Sequence, residues 1–146
     1  MLVASSHFPV GVAWGWAAEM GESFRYLIVW QRAIDLTTEI YRLTETFPNS
    51  ELYGLISQLR RAAVSVASNI SEGAGRGSER EFRHFLNVAR GSNCEVQTQL
   101  IIAARLNMAR SEQISAAESL SHEVGRMLNG LLQSLPKDGR QPGTDN

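Results

Sequence analysis

The sequence predicts an all-α protein, an antiparallel up-down-up-down four-helix bundle. Three observations carry that expectation. Apolar residues recur at every third or fourth position in four separate stretches, the spacing that gathers them on one helix face. No stretch alternates apolar and polar residues over the length of a strand, and no Asn-Gly hairpin signal occurs. The connections between the four stretches are short, so consecutive helices pack side by side in opposite directions.

The chain has 146 residues, of which 43% are hydrophobic and 20% charged. That fits one soluble domain with a real core. Residues 1–23 precede the periodic part. The run "MLVASSHFPVGVAWGWAAEMG" is apolar but broken by Pro9, Gly11 and Gly15, and no Lys or Arg precedes it. A secretory signal is poorly supported, and the run is too short and interrupted to span a bilayer. It is expected to be a flexible extension, with the bundle domain at residues 24–135.

The first helix is expected from about Phe24 to Thr46. Ala33, Leu36, Ile40, Leu43 and Phe47 form one stripe; Trp30, Ile34, Thr37 and Tyr41 form an adjacent one. Pro48 ends it, because proline cannot continue a helix. The second helix is expected from Glu51 to about Glu72, with Ser50 as N-cap and Glu51 favoured by the helix dipole. Its seam is Leu52, Leu55, Leu59, Ala63, Val66 and Ile70. Gly73, Gly75 and Gly77 stop it, with Gly73 as the left-handed C-cap.

The third helix is expected from Ser78 to about Leu106. Ser78 and Glu81 have the spacing of a capping box. Phe82, Phe85, Leu86, Ala89, Val96, Leu100 and Ala103 form its stripe. Asn93 falls on the same stripe, where a polar side chain must find a partner. The fourth helix is expected from Ser111 to Leu135, with Ile114, Ala117, Leu120, Val124, Met127, Leu128, Leu131 and Leu135 inward. Pro136 stops it. Residues 136–146 are polar and are expected to form a disordered tail.

The run "SNISEGAGRGSEREF", residues 68–82, has the glycine density of a phosphate cradle. A P-loop needs a buried strand before it and a Gly-Lys-Ser/Thr ending. Here a helix precedes, and Arg76-Gly77-Ser78 holds no lysine. A turn between two helices accounts for every residue, although a helix N-terminus can still attract an anion.

Catalytic patterns are thin. His7, His84 and His122 lack metal-ligand spacing, and no Gly-x-Ser-x-Gly occurs. Glu39, Glu72, Glu95 and Glu123 could converge across a bundle, but no Glu-x-x-His supports a di-iron site. Cys94 is the single cysteine, which rules out an intrachain disulfide and suits a reducing cytoplasm. It is expected to be a small buried hydrophobe. No catalytic residue, metal or cofactor is expected.

The net charge is −1, so no overall field draws the chain to nucleic acid or membrane. The charge is uneven, however. Residues 58–90 hold six arginines against three glutamates, a local +3, and the remainder carries −4. Arg80, Arg83 and Arg90 fall within one sector of about 80° on the third helix. With Arg60 and Arg76 they form the candidate nucleic-acid face, since the guanidinium fork suits phosphate. The competing reading is a solvated surface, or one ion-paired with Glu79, Glu81 or a neighbouring subunit. On the second helix, Arg61, Ser65, Ser68, Asn69 and Glu72 lie off the core seam beside Ala62. Such small side chains admit another helix, either of this chain or of a second subunit, which makes this the candidate oligomer interface.

Three blocks of the sequence carry a family resemblance: Trp30 to Leu36; "YGLISQLRRAAVSVASNISEG" from Tyr53; and "EFRHFLNVARGSNCE" from Glu81. Together they closely resemble the four-helix bundle protein family, also called the 23S rRNA intervening-sequence protein family. The likeness runs from about Phe24 to Leu135. It implies a cytosolic all-α bundle that assembles as a ring, commonly a homopentamer, with no enzymatic activity. A related branch, the accessory protein of diversity-generating retroelements, is a basic pentameric barrel that binds nucleic acid and a reverse transcriptase. The near-zero charge of this chain departs from that branch. The function expected is a non-enzymatic oligomer that binds RNA or a nucleoprotein partner through its arginine face. The alternative is a protein-interaction scaffold that binds no nucleic acid.

Overall fold

The computed structural model of the protein describes residues 23–136. The expected extension before residue 23 and the expected tail beyond 136 lie outside the described residues. A 3-10 turn, Ser23–Tyr26, leads into α1, Ile28–Glu45. A second 3-10 turn, Asn49–Glu51, precedes α2, Leu55–Gly75. Then come α3, Glu79–Arg105, and α4, Ser111–Ser134. Among the described residues there is no strand.

The four apolar stripes meet in one core. Leu36 and Ile40, Leu59, Val66 and Ile70, Leu86, Val96 and Leu100, and Val124 and Leu128 are all fully buried. Each such side chain contributes about 1.5–3 kcal/mol by leaving water. Side-chain bonds show how the helices run. Thr37 Oγ1 donates to the Ala63 carbonyl at 3.1 Å and Arg60 Nε to Thr44 Oγ1 at 2.9 Å. Numbers rise along α1 as they fall along α2, so the pair is antiparallel. The same holds for α3 and α4, where Asn93 meets Ser121 and Arg83 meets Leu132. Each helix packs on the next, and α4 returns to α1. The second stripe of α1 lies at the edge of the core: Trp30 and Thr37 are half-buried, Ile34 and Tyr41 exposed.

The most intimate pair is α2 with α3, and glycine is the reason at one point. Gly73 is buried and helical, and a Cβ there would lie 2.7 Å from Phe85 Cβ. Gly73 therefore permits close approach and is not the C-cap. The helix runs on through Gly75, and Gly77 supplies the left-handed residue at φ +75°. Ser78 does cap α3: its Oγ accepts from the Glu81 amide at 3.2 Å.

The start of α2 also differs from expectation. It begins at Leu55, because residues 49–51 close a 3-10 turn first. The N-cap position falls to Gly54 and not to Ser50, and Glu51 Oε2 accepts from the Leu55 amide at 3.2 Å. Leu52 follows that turn, ahead of the helix and off its seam, and stays exposed. Cys94 is exposed too, contrary to its expected burial. It follows Asn93, so helical geometry turns it about 100° from the core seam. At the far end of α3, Asn107 adopts φ 53°, and the amides of Asn107 and Met108 bond the carbonyls of Ala104 and Ala103. That is a Schellman closure with asparagine in glycine's place.

Candidate nucleic-acid interface

Arg83 lies near the start of α3 and, by the antiparallel pairing, beside the end of α4. Its guanidinium donates to the carbonyls of Leu132 at 3.4 Å, Leu135 at 3.0 Å and Pro136. Carbonyls at a helix end lack intrahelical donors and carry the negative pole of the helix dipole. Arg83 satisfies both needs. It is half-buried against α4 and does not stand outward as a free ridge.

Arg90 lies two turns further on. It donates to Asn87 Oδ1 at 2.9 Å and to Asn129 Oδ1 at 3.4 Å. Arg80 is exposed and forms no hydrogen bond or ion pair among the described residues. The oxygens that Arg83 and Arg90 meet are therefore all neutral. The expected pairing with Glu79 or Glu81 within the chain occurs at Arg76, which reaches Glu81 at 4.0 Å, and not at Arg80, Arg83 or Arg90 among the described residues. Between α3 and α4 runs a groove of about 300 Å³, lined by Arg83, Asn87, Arg90, Asn129 and Gln133 with Leu132 and Leu135. No carboxylate lines it.

Two of the five candidate arginines are elsewhere. Arg60 lies on the α1–α2 side, 4.6 Å from the centre of the Tyr41 ring and bonded to Thr44. Arg76 is neutralised by Glu72 at 2.6 Å and approaches Glu81 at 4.0 Å. Arg126 is exposed on α4 three residues before Asn129, outside the groove lining.

A second charge cluster joins α1 to α4. Arg32 grips Glu123 with two bonds, of 2.6 and 3.1 Å, and also reaches Asp35 at 3.0 Å. The bonds from Arg32 hold the Glu123 carboxyl below the usual carboxylate range, and Arg126 adds a smaller pull. The same bonds raise the Arg32 guanidinium.

The candidate oligomer face divides. Ser65 bonds Ser92 of α3 at 2.8 Å, and Asn69 donates to the Ser65 carbonyl at 2.7 Å. Glu72 is taken by Arg76. Arg61 and Ser68 remain exposed without a side-chain partner among the described residues. Ser65 thus serves the contact between α2 and α3, and Asn69 braces it from within α2. No group of three metal-binding side chains converges among the described residues, so Glu39, Glu72, Glu95 and Glu123 do not meet. No described helix is long and apolar enough to cross a membrane.

Comparison with known proteins places this geometry. A solved structure from Bacteroides thetaiotaomicron, a protein of unknown function from the S23 ribosomal protein family, superposes with a TM-score of 0.68. The alignment covers 73% of this chain and 96% of the other at 21% identity, which is a likeness of fold. No curated protein matches the chain. The sequence model of the 23S rRNA-intervening sequence proteins matches residues 25–130, most of the bundle. The chain belongs to the 23S rRNA-intervening sequence protein family.

Proposed function

We propose that the protein is a non-enzymatic cytoplasmic bundle that binds RNA through the α3–α4 face. One observation carries this reading: Arg83 and Arg90 line a groove that holds no carboxylate, and Arg80, one turn before Arg83 on α3, forms no ion pair among the described residues. Guanidinium groups left without an anion attract phosphate, and contacts of that kind neutralise backbone charge without reading sequence. Arg126 extends the face, while Arg60 and Arg76 fall outside it. Several copies in a ring would multiply the effect, so a near-neutral chain is compatible with binding.

The test is titration of purified protein against labelled structured RNA at rising salt. Binding in roughly the micromolar range at about 0.1 M salt, with a steep log-log slope, is the expected result. Absence of binding even at low salt would overturn the reading.

A second reading, a self-assembling scaffold such as a homopentamer, is favoured by the outer surface of α3. Val88 and Ile102 are 39% and 41% exposed there, with Gly91 between them and Ser68 of α2 also exposed nearby. Light scattering decides it. A mass that stays at the 16.1 kDa of one chain at high micromolar concentration would rule it out.

A further inference from the structure

The edge of the bundle opposite the arginine groove has its own concavity. There α1 and α2 border an open groove of about 520 Å³. Tyr41 and Arg60 form a flat plate in it, and Leu52, Ile56 and Val64 form an apolar wall. The plate is built from both helices. The Arg60 guanidinium lies over the Tyr41 ring, 4.6 Å from its centre. Its Nε donates to Thr44 Oγ1 at 2.9 Å, and a terminal nitrogen donates to the Tyr41 carbonyl at 3.5 Å. Thr44 is buried, and its own hydroxyl is held by the Ile40 carbonyl at 2.7 Å. The guanidinium thus has one face against a ring and an anchored edge, which leaves its other face for a third layer. Nucleobases stack on aromatic rings and on guanidinium planes alike.

Charge complementarity sets the rest of the ligand. No carboxylate lines the groove. Arg60 donates only to the neutral oxygens of Thr44 and Tyr41. Arg61 is exposed and has no ion pair among the described residues. Ser57 lies one helical turn before Arg61 and also lines the groove, so α2 sets a hydroxyl and a second guanidinium beside the plate. A carboxylate side chain would meet the charge and leave the plate and the wall unused. A planar group with apolar faces, joined through a polar link to an anion, meets all three, and a nucleotide is such a group. The open side admits a passing strand, whereas a small free ligand is typically enclosed over most of its surface.

We propose that the α1–α2 groove binds an unpaired nucleotide of a nucleic-acid strand. The base lies on the Arg60–Tyr41 plate against the apolar wall, and the phosphate meets Arg61. The site is separate from the α3–α4 face and does not depend on RNA binding there.

The experiment is titration of the full chain with a labelled single-stranded oligouridylate, which has little structure of its own, read by fluorescence anisotropy at rising salt. Arg61→Ala leaves the core untouched and should lower the log-log salt slope by about 0.7, the share of one phosphate on a single strand. Arg60→Lys keeps the charge and removes the plane; it should weaken binding about tenfold with the slope unchanged. Arg80→Ala should leave oligouridylate binding as it is. Since Arg60 is also bonded to Thr44, a second measurement needs no variant: in NMR spectra of the wild type the oligonucleotide should shift the Arg60 Nε–H and Tyr41 ring resonances. Absence of binding at low salt, unmoved Arg60 and Tyr41 resonances, or equal affinity for an oligoglutamate peptide would each overturn the proposal. So would loss of binding in Arg80→Ala with none in Arg61→Ala, since the strand would then lie on the α3–α4 face. Oligouridylate binding with the expected effects supports the site even where structured RNA fails to bind, so the two readings fail separately.

Discussion

Asn93 and Ser121 close a two-bond pair in the core between α3 and α4. The Asn93 amide donates to the Ser121 carbonyl at 2.9 Å, and the Ser121 hydroxyl donates back to Asn93 Oδ1 at 2.8 Å. Both residues are buried. Sliding either helix by one turn would leave both side chains unpaired, so the pair fixes register as well as adding stability. Asn93→Ala should cost about 2–4 kcal/mol, from the cavity and the orphaned hydroxyl. Ser121→Ala should cost about 1–2 kcal/mol. The double variant should cost less than the sum, measured by urea unfolding followed by circular dichroism.

The three glycines of the α2–α3 turn should answer differently to alanine. At Gly73 the new Cβ meets Phe85 Cβ at 2.7 Å and Phe82 Cδ2 at 3.1 Å. Overpacking of about 1–3 kcal/mol outweighs the gain of about 1 kcal/mol in helix propensity, so Gly73→Ala destabilises. Gly75 faces open space within the helix, and Gly75→Ala should stabilise by about 0.5–1 kcal/mol. Gly77 has φ +75°, and alanine there should cost about 1 kcal/mol. Thermal unfolding of the three variants gives the order directly.

Arg80 and Arg83 should separate binding from folding. Arg80 is exposed with no partner among the described residues. Arg80→Ala should weaken RNA binding and lower the salt slope by about 1 with no change in stability. Arg83 also satisfies the last carbonyls of α4. Arg83→Ala should lose the same binding increment and also destabilise the fold by about 1–2 kcal/mol. Loss of stability without loss of binding would make Arg83 a cap alone.

The Arg32–Glu123 pair should give a pH signature. The Glu123 carboxyl is held below its unfolded value, chiefly by the bonds from Arg32. A depressed carboxylate contributes stability that is present above its unfolded pKa and is lost as pH falls through the folded one. The wild type should therefore lose stability on acidification more steeply than Glu123→Gln in that window. Parallel curves for the two proteins in urea melts from neutral to acid pH would refute the linkage.

Much of this was legible in the chain order. The period of three and four places Leu36, Leu59, Leu86 and Leu128 inward, and the short connections imply the bundle, because a helix with one apolar stripe must bury it on its neighbours. Ser78 was readable as a cap, and Asn93 as a buried polar group in need of a partner. What the sequence could not show is which side chains meet across helices. Gly73 looks like a stop signal until Phe85 is set against it, and Ser50 looks like a cap until the 3-10 turn brings Glu51 to the Leu55 amide. Arg76 and Arg83 read alike in sequence, yet one lies beside Glu72 and the other against the carbonyl end of α4. Periodicity is a property of one helix, so it determines burial. Pairing depends on the rotation and register of two helices, and only their packing in three dimensions decided which arginines are neutralised and which face a groove without carboxylates.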